Sequence, residues 1–171
     1  MRDFKSEIRN VPDFPVAGIQ FKDITTLIKD PQAYHEAIDE LARSVEGKEI
    51  DVVVGPEARG FIVGGPLAYA THTGFVLARK PGKLPAQVAR YEYQLEYGTD
   101  ALEIHTDAIT KGTKVLIADD LLATGGTAMA VVKLVESMGG EVVGLRFLIE
   151  LEDLGGRKAL EGYDVASLVQ Y

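Results

Sequence analysis

Residues 115–127 read Val-Leu-Ile-Ala-Asp-Asp-Leu-Leu-Ala-Thr-Gly-Gly-Thr, an apolar run followed by two acidic residues and then by a turn of small residues. A short, continuous apolar run such as 115–118 is typical of a parallel strand that is buried on both faces of its sheet. In open α/β sheets, ligands bind in the crevice beyond the carboxyl ends of such strands. This stretch therefore predicts an α/β fold with a ligand site directly after the strand.

The turn after this strand predicts an anion site at the start of a helix. It contains the small residues Ala123, Thr124, Gly125, Gly126 and Thr127. Their backbone can curl N–H groups around a phosphate at the positive end of the helix that follows. Asp119 and Asp120 come just before the turn, and carboxylates accept hydrogen bonds from sugar hydroxyls or hold a hydrated metal ion. The segment thus predicts a site for a ribose 5-phosphate, and we call residues 123–127 the phosphate loop.

The rest of the chain alternates between predicted strands and predicted helices. Strands are predicted over residues 50–55, 75–79, 115–119, 142–151 and 165–171, and helices from 31 to about 45, over 60–70 and over 127–138. Such alternation implies right-handed crossovers and a mainly parallel, Rossmann-like sheet flanked by helices. A chain of 171 residues with 46% hydrophobic content is long enough for one core, so we expect a single domain over residues 1–171.

The composition argues against several classes of function. A net charge of −8 argues against general binding to nucleic acid or to an anionic membrane, because both would repel the chain. The chain contains no cysteine, which excludes disulfides, thiolate zinc sites and a cysteine nucleophile. Its N-terminus is charged and no window approaches 18 consecutive apolar residues, so we expect a cytoplasmic enzyme.

One part of this acidic chain is strongly basic. No acidic residue occurs between Glu57 and Glu92, whereas the same interval contains the basic residues Arg59, Arg79, Lys80, Lys83 and Arg90. Such a concentration of positive charge suits a polyphosphate substrate. The alternative is a basic surface patch that binds no ligand.

Residues 86–109 interrupt the alternation of strands and helices. Val88, Tyr91 and Tyr93 show a near-alternating pattern, residues 98–100 are a turn signal, and the alternation then resumes. The pattern predicts a two-stranded ribbon outside the main sheet. Such a ribbon could serve as a flap over the ligand site, or it could be an edge hairpin that only extends the sheet.

Several segments together carry a resemblance to a known family. Besides residues 115–127, they are Phe21-Lys22-Asp23-Ile24, Gly55-Pro56-Glu57-Ala58-Arg59-Gly60-Phe61, Arg79-Lys80-Pro81-Gly82-Lys83-Leu84-Pro85 and Leu95-Glu96-Tyr97-Gly98. In this order they resemble the motifs of the type I phosphoribosyltransferases, over most of the chain. The resemblance implies the fold of that family, with a small hood over about residues 1–26 and a flexible catalytic flap over about 86–109.

The resemblance also implies a reaction with phosphoribosyl pyrophosphate (PRPP), in which a base replaces pyrophosphate on the sugar. Asp119, Asp120 and the phosphate loop would bind the phosphate and ribose of PRPP or of the product. The pyrophosphate-binding residues would be Glu57 and Ala58, joined by a cis peptide bond, together with Arg59, Arg79, Lys80, Lys83 and Tyr97. Glu96 and Arg59 would be catalytic. Mg²⁺ would be held largely by the substrate, with Asp119 and Asp120 as indirect ligands.

Within that family, the sequence of residues 119–127 most resembles that of members that act on adenine. Phe21 would stack on the base, the backbone of Gln20 and Lys22 would read its edge, and Leu121 would also contact it. Residues 142–153 contain no lysine to donate to a 6-oxopurine, which favours a 6-aminopurine. The expected reaction is adenine plus PRPP giving AMP and pyrophosphate, catalysed by a homodimer.

Two alternatives differ in substrate or in class. A sister enzyme would act on xanthine, another purine or orotate, and a regulator would sense PRPP without catalysis. The acidic charge and the presence of Glu96 argue against the regulator. Gln20 and residues 86–89 depart from the family pattern, in which the first position is usually apolar and the second segment usually carries hydroxyl and acidic residues.

Overall fold

The N-terminal part of the computed structural model, which describes residues 2–94 and 98–171, forms a small unit beside the central sheet. Its elements are α1 (Phe4–Glu7), β1 (Arg9–Pro12), β2 (Gln20–Asp23) and α2 (Thr25–Ile28). Strands β1 and β2 pair in antiparallel register, with Val11 opposite Phe21. This unit occupies most of the range expected for the hood.

The central sheet follows. The remaining elements are α3 (Pro31–Arg43), β3 (Val52–Pro56), α4 (Arg59–Ala70), β4 (Gly74–Ala78), β5 (Val88–Gln94), β6 (Thr99–His105), β7 (Lys114–Leu122), α5 (Gly126–Ser137), β8 (Glu141–Glu150), a 3-10 turn (Glu152–Leu154), α6 (Gly156–Ala159) and β9 (Val165–Gln170). The sheet has the order β4-β3-β7-β8-β9, and all neighbouring strands are parallel. The predicted α/β fold with a mainly parallel sheet is confirmed.

Helices cover both faces of this sheet. On one face, α3 and α4 pack through buried residues such as Leu41 and Leu67, and on the other face α5 packs through Val131 and Val135. Helix α3 begins where the sequence predicts, because Asp30 accepts a hydrogen bond from the backbone N–H of Ala33 at 2.7 Å and proline occupies the first turn. The described part of the chain contains no helix long and apolar enough to cross a membrane.

Strand β7 is longer than its sequence pattern predicts. The predicted strand ends at Asp119, whereas the observed strand continues to Leu122. The extra length is paired with β8 alone, since the pairing of β7 with β3 stops at Ile117 while the pairing with β8 continues to Leu122. The strands β3 and β7 therefore part before β7 ends, and a crevice opens between them at the point where parallel sheets of this order bind ligands.

The ribbon predicted over residues 86–109 is present as a separate antiparallel pair, β5 and β6. Its base is part of the protein core, because Leu102 and Ile104 of β6 are fully buried in the same cluster as α5. A single bridge joins it to the end of β4, where Arg79 and Glu103 exchange two backbone hydrogen bonds of 2.9 and 2.7 Å. The ribbon is thus anchored at its base rather than continuing the edge of the sheet.

Candidate active site

A cavity of about 320 Å³ lies where β3 and β7 part. Its lining comprises Glu57, Ala58, Arg59, Asp119, Asp120, Leu121, Leu122, Ala123, Thr124, Gly125, Gly126, Thr127 and Ala128. The loop after β3 and the end of β7 thus contribute to one site, although more than 50 positions separate them in the chain. The fold brings together the residues predicted for ribose and phosphate with three of those predicted for pyrophosphate.

The phosphate loop leads directly into α5. Gly125 adopts a left-handed conformation with φ of +86°, and α5 starts without a side-chain hydrogen bond to its first N–H groups. The first N–H groups of a helix have no partner within the helix, and the helix dipole makes this end positive. The start of α5 can therefore donate hydrogen bonds to an anion in the cavity.

The turn at α6 packs tightly against the phosphate loop. A Cβ atom on Gly156 would lie 2.3 Å from the carbonyl oxygen of Ala123, and one on Gly125 would lie 2.9 Å from the carbonyl oxygen of Gly156. Helix α6 is held in turn by Arg157, whose guanidinium binds the buried Glu150 at 2.5 Å. This contact is not predictable from the sequence, because Gly155-Gly156 signals a turn but does not reveal what the turn packs against.

The two adjacent aspartates have different environments. Asp120 is buried and its Oδ2 lies 2.5 Å from Nε of Arg59, so its charge is paired. Asp119 accepts a hydrogen bond of 2.8 Å from the backbone N–H of Asp120. Burial raises the pKa of Asp119 well above its usual range, and the neighbouring charge of Asp120 adds to the increase. One carboxylate is thus paired with an arginine, while the other, Asp119, retains its proton more readily.

The carboxylate of Glu57 points to the basic loop, which we define as residues 79–83. The Glu57–Ala58 peptide bond is cis, as the resemblance implies. Oε1 of Glu57 accepts a hydrogen bond of 2.6 Å from the backbone N–H of Lys80 and lies 3.4 Å from Nε of Arg79. Burial acts to raise the pKa of Glu57, but the Lys80 amide and the Arg79 charge outweigh it and the pKa is lowered. Glu57 therefore joins the pyrophosphate segment to the basic loop.

The basic residues predicted for pyrophosphate do not all line the same cavity. Arg59 does, whereas Arg79, Lys80 and Lys83 lie outside its lining. The ammonium group of Lys80 forms an ion pair with Asp100 of the ribbon, while Lys83 is exposed. The basic loop thus lies beyond the cavity with at least one of its charges already paired.

A second cavity, of about 430 Å³, lies under the hood. Its lining comprises Val11, Phe14, Phe21, Lys22, Asp23, Ile24, Thr25 and Arg59. The rings of Phe14 and Phe21 meet edge to face with their centroids 5.2 Å apart, and Cζ of Arg59 lies 5.8 Å from the centroid of Phe21. This aromatic slot suits a flat heterocycle, and Arg59 connects it to the phosphate-loop cavity because it lines both. Val11 and Phe14 also line the slot, although no sequence motif indicates them.

The side chains of Gln20 and Lys22 both form hydrogen bonds with Asn10, within the hood. Asn10 donates to Oε1 of Gln20 at 2.7 Å, and Nζ of Lys22 donates to Oδ1 of Asn10 at 2.9 Å. Their backbone groups are the part predicted to read a base, and Lys22 lines the slot whereas Gln20 is outside its lining. Leu121 lines the phosphate-loop cavity instead of the slot. Glu96 and Tyr97 lie outside the described residues.

Comparisons with known proteins show what this chain is similar to in sequence and in fold. Residues 25–168 match the phosphoribosyl transferase domain family. A curated adenine phosphoribosyltransferase of Clostridium perfringens is 61% identical over 98% of this chain and 97% of its own length. The crystal structure of the enzyme of that name from Thermoanaerobacter pseudethanolicus has a TM-score of 0.95 at 57% identity, covering 98% of this chain and 97% of its own.

A further solved structure shows ligands in a more distant relative. It is adenine phosphoribosyltransferase from Saccharomyces cerevisiae, complexed with D-2,5-dideoxy-2,5-imino-altritol 1,6-bisphosphate and adenine, with a TM-score of 0.90 at 39% identity, covering 96% of this chain and 95% of its own. The family predicted from the sequence motifs is confirmed by these matches. This chain belongs to the phosphoribosyltransferase family and, within it, to the adenine phosphoribosyltransferases.

Proposed function

We propose that this chain transfers the 5-phosphoribosyl group of PRPP to adenine, giving AMP and pyrophosphate, with the two connected cavities as its active site. The observation that carries the proposal is the position of Arg59, which lines both the phosphate-loop cavity and the aromatic slot. A base in the slot and a phosphoribosyl group on the phosphate loop would then face each other across one cation.

The reaction breaks the bond from the anomeric carbon to a pyrophosphate oxygen and forms a bond from that carbon to N9 of adenine, which loses a proton. Charge grows on the leaving pyrophosphate, so positioned cations and N–H groups favour the transition state. We assign this role to Arg59 and to the backbone at Ala58, with the basic loop contributing further positive charge. Asp119 and Asp120 would accept hydrogen bonds from the ribose hydroxyls and favour a cation-like sugar.

Mg²⁺ is part of the proposal, as an ion that the substrate carries. The two aspartates in the cavity fit that arrangement, and the described residues contain no cluster of three or more side chains that could hold a metal by themselves. Mg²⁺ typically keeps several waters and binds through one or two carboxylates plus substrate phosphates. When bound, it would neutralise charge on the pyrophosphate, while Asp119 and Asp120 would hold it through water.

Adenine recognition rests on the slot under the hood. The relative from Saccharomyces cerevisiae is a complex with adenine, which supports the same choice of base here. Phe21 and Phe14 would pack against the ring, and backbone groups of residues 20–22 would bind its edge. Because the exocyclic amine of adenine is a donor, backbone carbonyls in this position would favour adenine over 6-oxopurines.

The assembly and location are also proposals. We expect a homodimer, because the basic loop lies outside the cavity of its own chain and Tyr69 leaves 87% of its surface exposed. Light scattering at working concentration measures this, and a fully active monomer would contradict it. We expect the reaction to take place in the cytoplasm, because PRPP and AMP are polyanions that do not cross a lipid bilayer unaided.

A crystal structure with bound AMP tests the assignment of the site. We expect the 5′-phosphate on the N–H groups of residues 123–127, the ribose hydroxyls near Asp119 and Asp120, and the adenine ring against Phe21. A phosphate bound elsewhere, with the phosphate loop empty, would contradict the proposal.

A further inference from the structure

Glu103 is a buried acidic residue that the proposed reaction does not use. It lies on β6 of the ribbon with 6% of its surface exposed, and it is not part of the lining of either cavity. Among the described residues, its one ion pair is with Arg90, at 3.8 Å. Burying a carboxylate lowers stability unless hydrogen bonds or opposite charges offset the loss of its hydration. The contacts of Glu103 should therefore explain why it is buried.

Besides Arg90, Glu103 contacts the backbone of the basic loop. Oε2 of Glu103 accepts a hydrogen bond of 3.1 Å from the N–H of Gly82. The main chain of Glu103 also exchanges two hydrogen bonds with Arg79, of 2.9 and 2.7 Å. One residue of the ribbon therefore binds the loop near its beginning and again at the turn, where Gly82 has φ of +78°.

The basic loop carries three cations within five residues, Arg79, Lys80 and Lys83. Glu57 and Asp100 offset the first two charges, so the part of the loop that needs further support is its turn at Gly82 and Lys83. Like charges at this spacing repel one another, and Gly82 and Lys83 are exposed, so packing does not hold this turn. A carboxylate that accepts a backbone N–H fixes the course of the loop, and its negative charge offsets part of the repulsion.

We propose that Glu103 is a positioning residue for pyrophosphate, which holds the basic loop so that its cations meet the leaving group. This inference rests on the proposed function, because it assumes that the basic loop serves pyrophosphate. Glu103 would not touch the substrate, and its side chain would act through the N–H of Gly82. Its removal should therefore weaken binding of pyrophosphate and leave binding of the AMP phosphate, on the phosphate loop, unchanged.

The test compares Glu103→Leu with Glu103→Gln, measuring dissociation constants for magnesium pyrophosphate and for AMP by titration calorimetry. The leucine variant removes the acceptor, and we expect pyrophosphate to bind about tenfold more weakly while AMP stays within about twofold of the wild type. The glutamine variant keeps an oxygen that can accept from Gly82, so it should recover most of the lost affinity. Equal weakening of both ligands, or no recovery with glutamine, would overturn the proposal.

Asp30→Ala is the matched control, because it also removes a carboxylate that accepts one backbone N–H, but at the start of α3. It should lower stability without altering either dissociation constant. If Glu103→Leu does not fold, Gly82→Ala tests the same hydrogen bond, since an alanine at φ of +78° is strained and would shift the N–H. Pyrophosphate should then bind several-fold more weakly, and unchanged binding would overturn the inference. A wild type that binds neither ligand would instead refute the proposed function.

Discussion

At the scale of single residues, the adjacent aspartates Asp119 and Asp120 have identical side chains in different electrostatic environments. Asp120 is paired with Arg59, whereas Asp119 meets burial and a neighbouring negative charge. Asp119 also faces the first turn of α4 closely, because a Cβ on Gly60 would lie 3.0 Å from its Oδ1. Such an arrangement lowers stability, and it keeps a carboxylate in the cavity that we propose binds the sugar.

The raised pKa of Asp119 predicts the pH dependence of stability. At a pH below the pKa of Asp119 in the unfolded chain, its carboxyl is protonated in both the folded and the unfolded state, so it does not lower the free energy of unfolding. As pH rises, the unfolded carboxyl ionises first and the folded one only above its raised pKa, so stability falls through this interval. Asp119→Asn keeps an oxygen for the N–H of Asp120 and removes this loss.

We therefore expect Asp119→Asn to be more stable than the wild type at pH 7 and equal to it at about pH 3. Urea unfolding at a series of pH values measures the difference in stability. We also expect the Asp119→Asn variant to bind PRPP more weakly than the wild type. A difference in stability that stays constant with pH would contradict the assigned cause.

Glu96 supplies a second prediction at this scale. We propose that Glu96 takes the proton that adenine loses, as the family resemblance implies, so Glu96→Gln should slow the chemical step by about 10²-fold while PRPP binding changes little. Single-turnover measurement is needed, because product release can limit the steady-state rate. Glu92→Gln is the control, since Glu92 is an exposed glutamate on β5, four positions earlier in the chain. An equal effect of both substitutions would remove Glu96 from the mechanism.

At the scale of elements, the sequence predicts what depends on periodicity and on local turns. The apolar run at 115–118 predicts β7, the spacing of Ala37, Ile38 and Leu41 predicts α3, and the glycines of the phosphate loop predict the start of α5. The end of β7 is not predictable from the sequence, because β7 continues only where it pairs with β8. This pairing extends beyond Ile117, whereas the pairing of β7 with β3 ends there. Local patterns do not contain the length of a distant partner strand.

Side-chain partners across the site were missed for the same reason. Glu57 is part of a recognisable motif, yet its hydrogen bond to Lys80 joins residues 23 positions apart. The packing of Gly156 against Ala123 likewise joins segments that the fold alone brings together. The motifs located the candidate site, and the tertiary structure was needed to find what supports it.

The contact between α6 and the phosphate loop predicts the effect of Gly125→Ala. This substitution places a Cβ 2.9 Å from the carbonyl oxygen of Gly156, at a φ of +86° that alanine rarely adopts. We expect ribose 5-phosphate to bind at least tenfold more weakly, because the first N–H groups of α5 would move.

Gly65→Ala is the matched control for this prediction. A Cβ at Gly65 of α4 would meet no atom within 4 Å, so the variant should bind normally and be slightly more stable. Calorimetric titration with ribose 5-phosphate compares the two. Similar affinities for both variants would show that the shape of the phosphate loop does not determine binding.

At the scale of the whole molecule, the hydrophobic clusters on the two faces of the sheet are built on the same strands, β3 and β7. Val53 and Leu116 belong to the core cluster on the side of α3 and α4, whereas their neighbours Val54 and Ile117 belong to the cluster on the side of α5. Neither cluster can persist without β3 and β7. We therefore propose that residues 1–171 form a single domain, with the hood and the base of the ribbon included.

This proposal predicts one cooperative unfolding transition. Urea unfolding followed by far-UV circular dichroism and by tyrosine fluorescence should give coincident curves at a fixed protein concentration. The tyrosines suit this purpose because the chain contains no tryptophan. Two separated transitions would show that part of the chain folds independently.

The most direct test of the whole account is the rate of nucleotide formation from PRPP and Mg²⁺ with adenine, hypoxanthine, guanine and orotate in parallel. If the slot under the hood binds the base and the phosphate loop holds the sugar phosphate, adenine should be converted to AMP at least about 10²-fold more efficiently than any other base. A higher kcat/KM for hypoxanthine, guanine or orotate would contradict the account, as would the absence of turnover with every base.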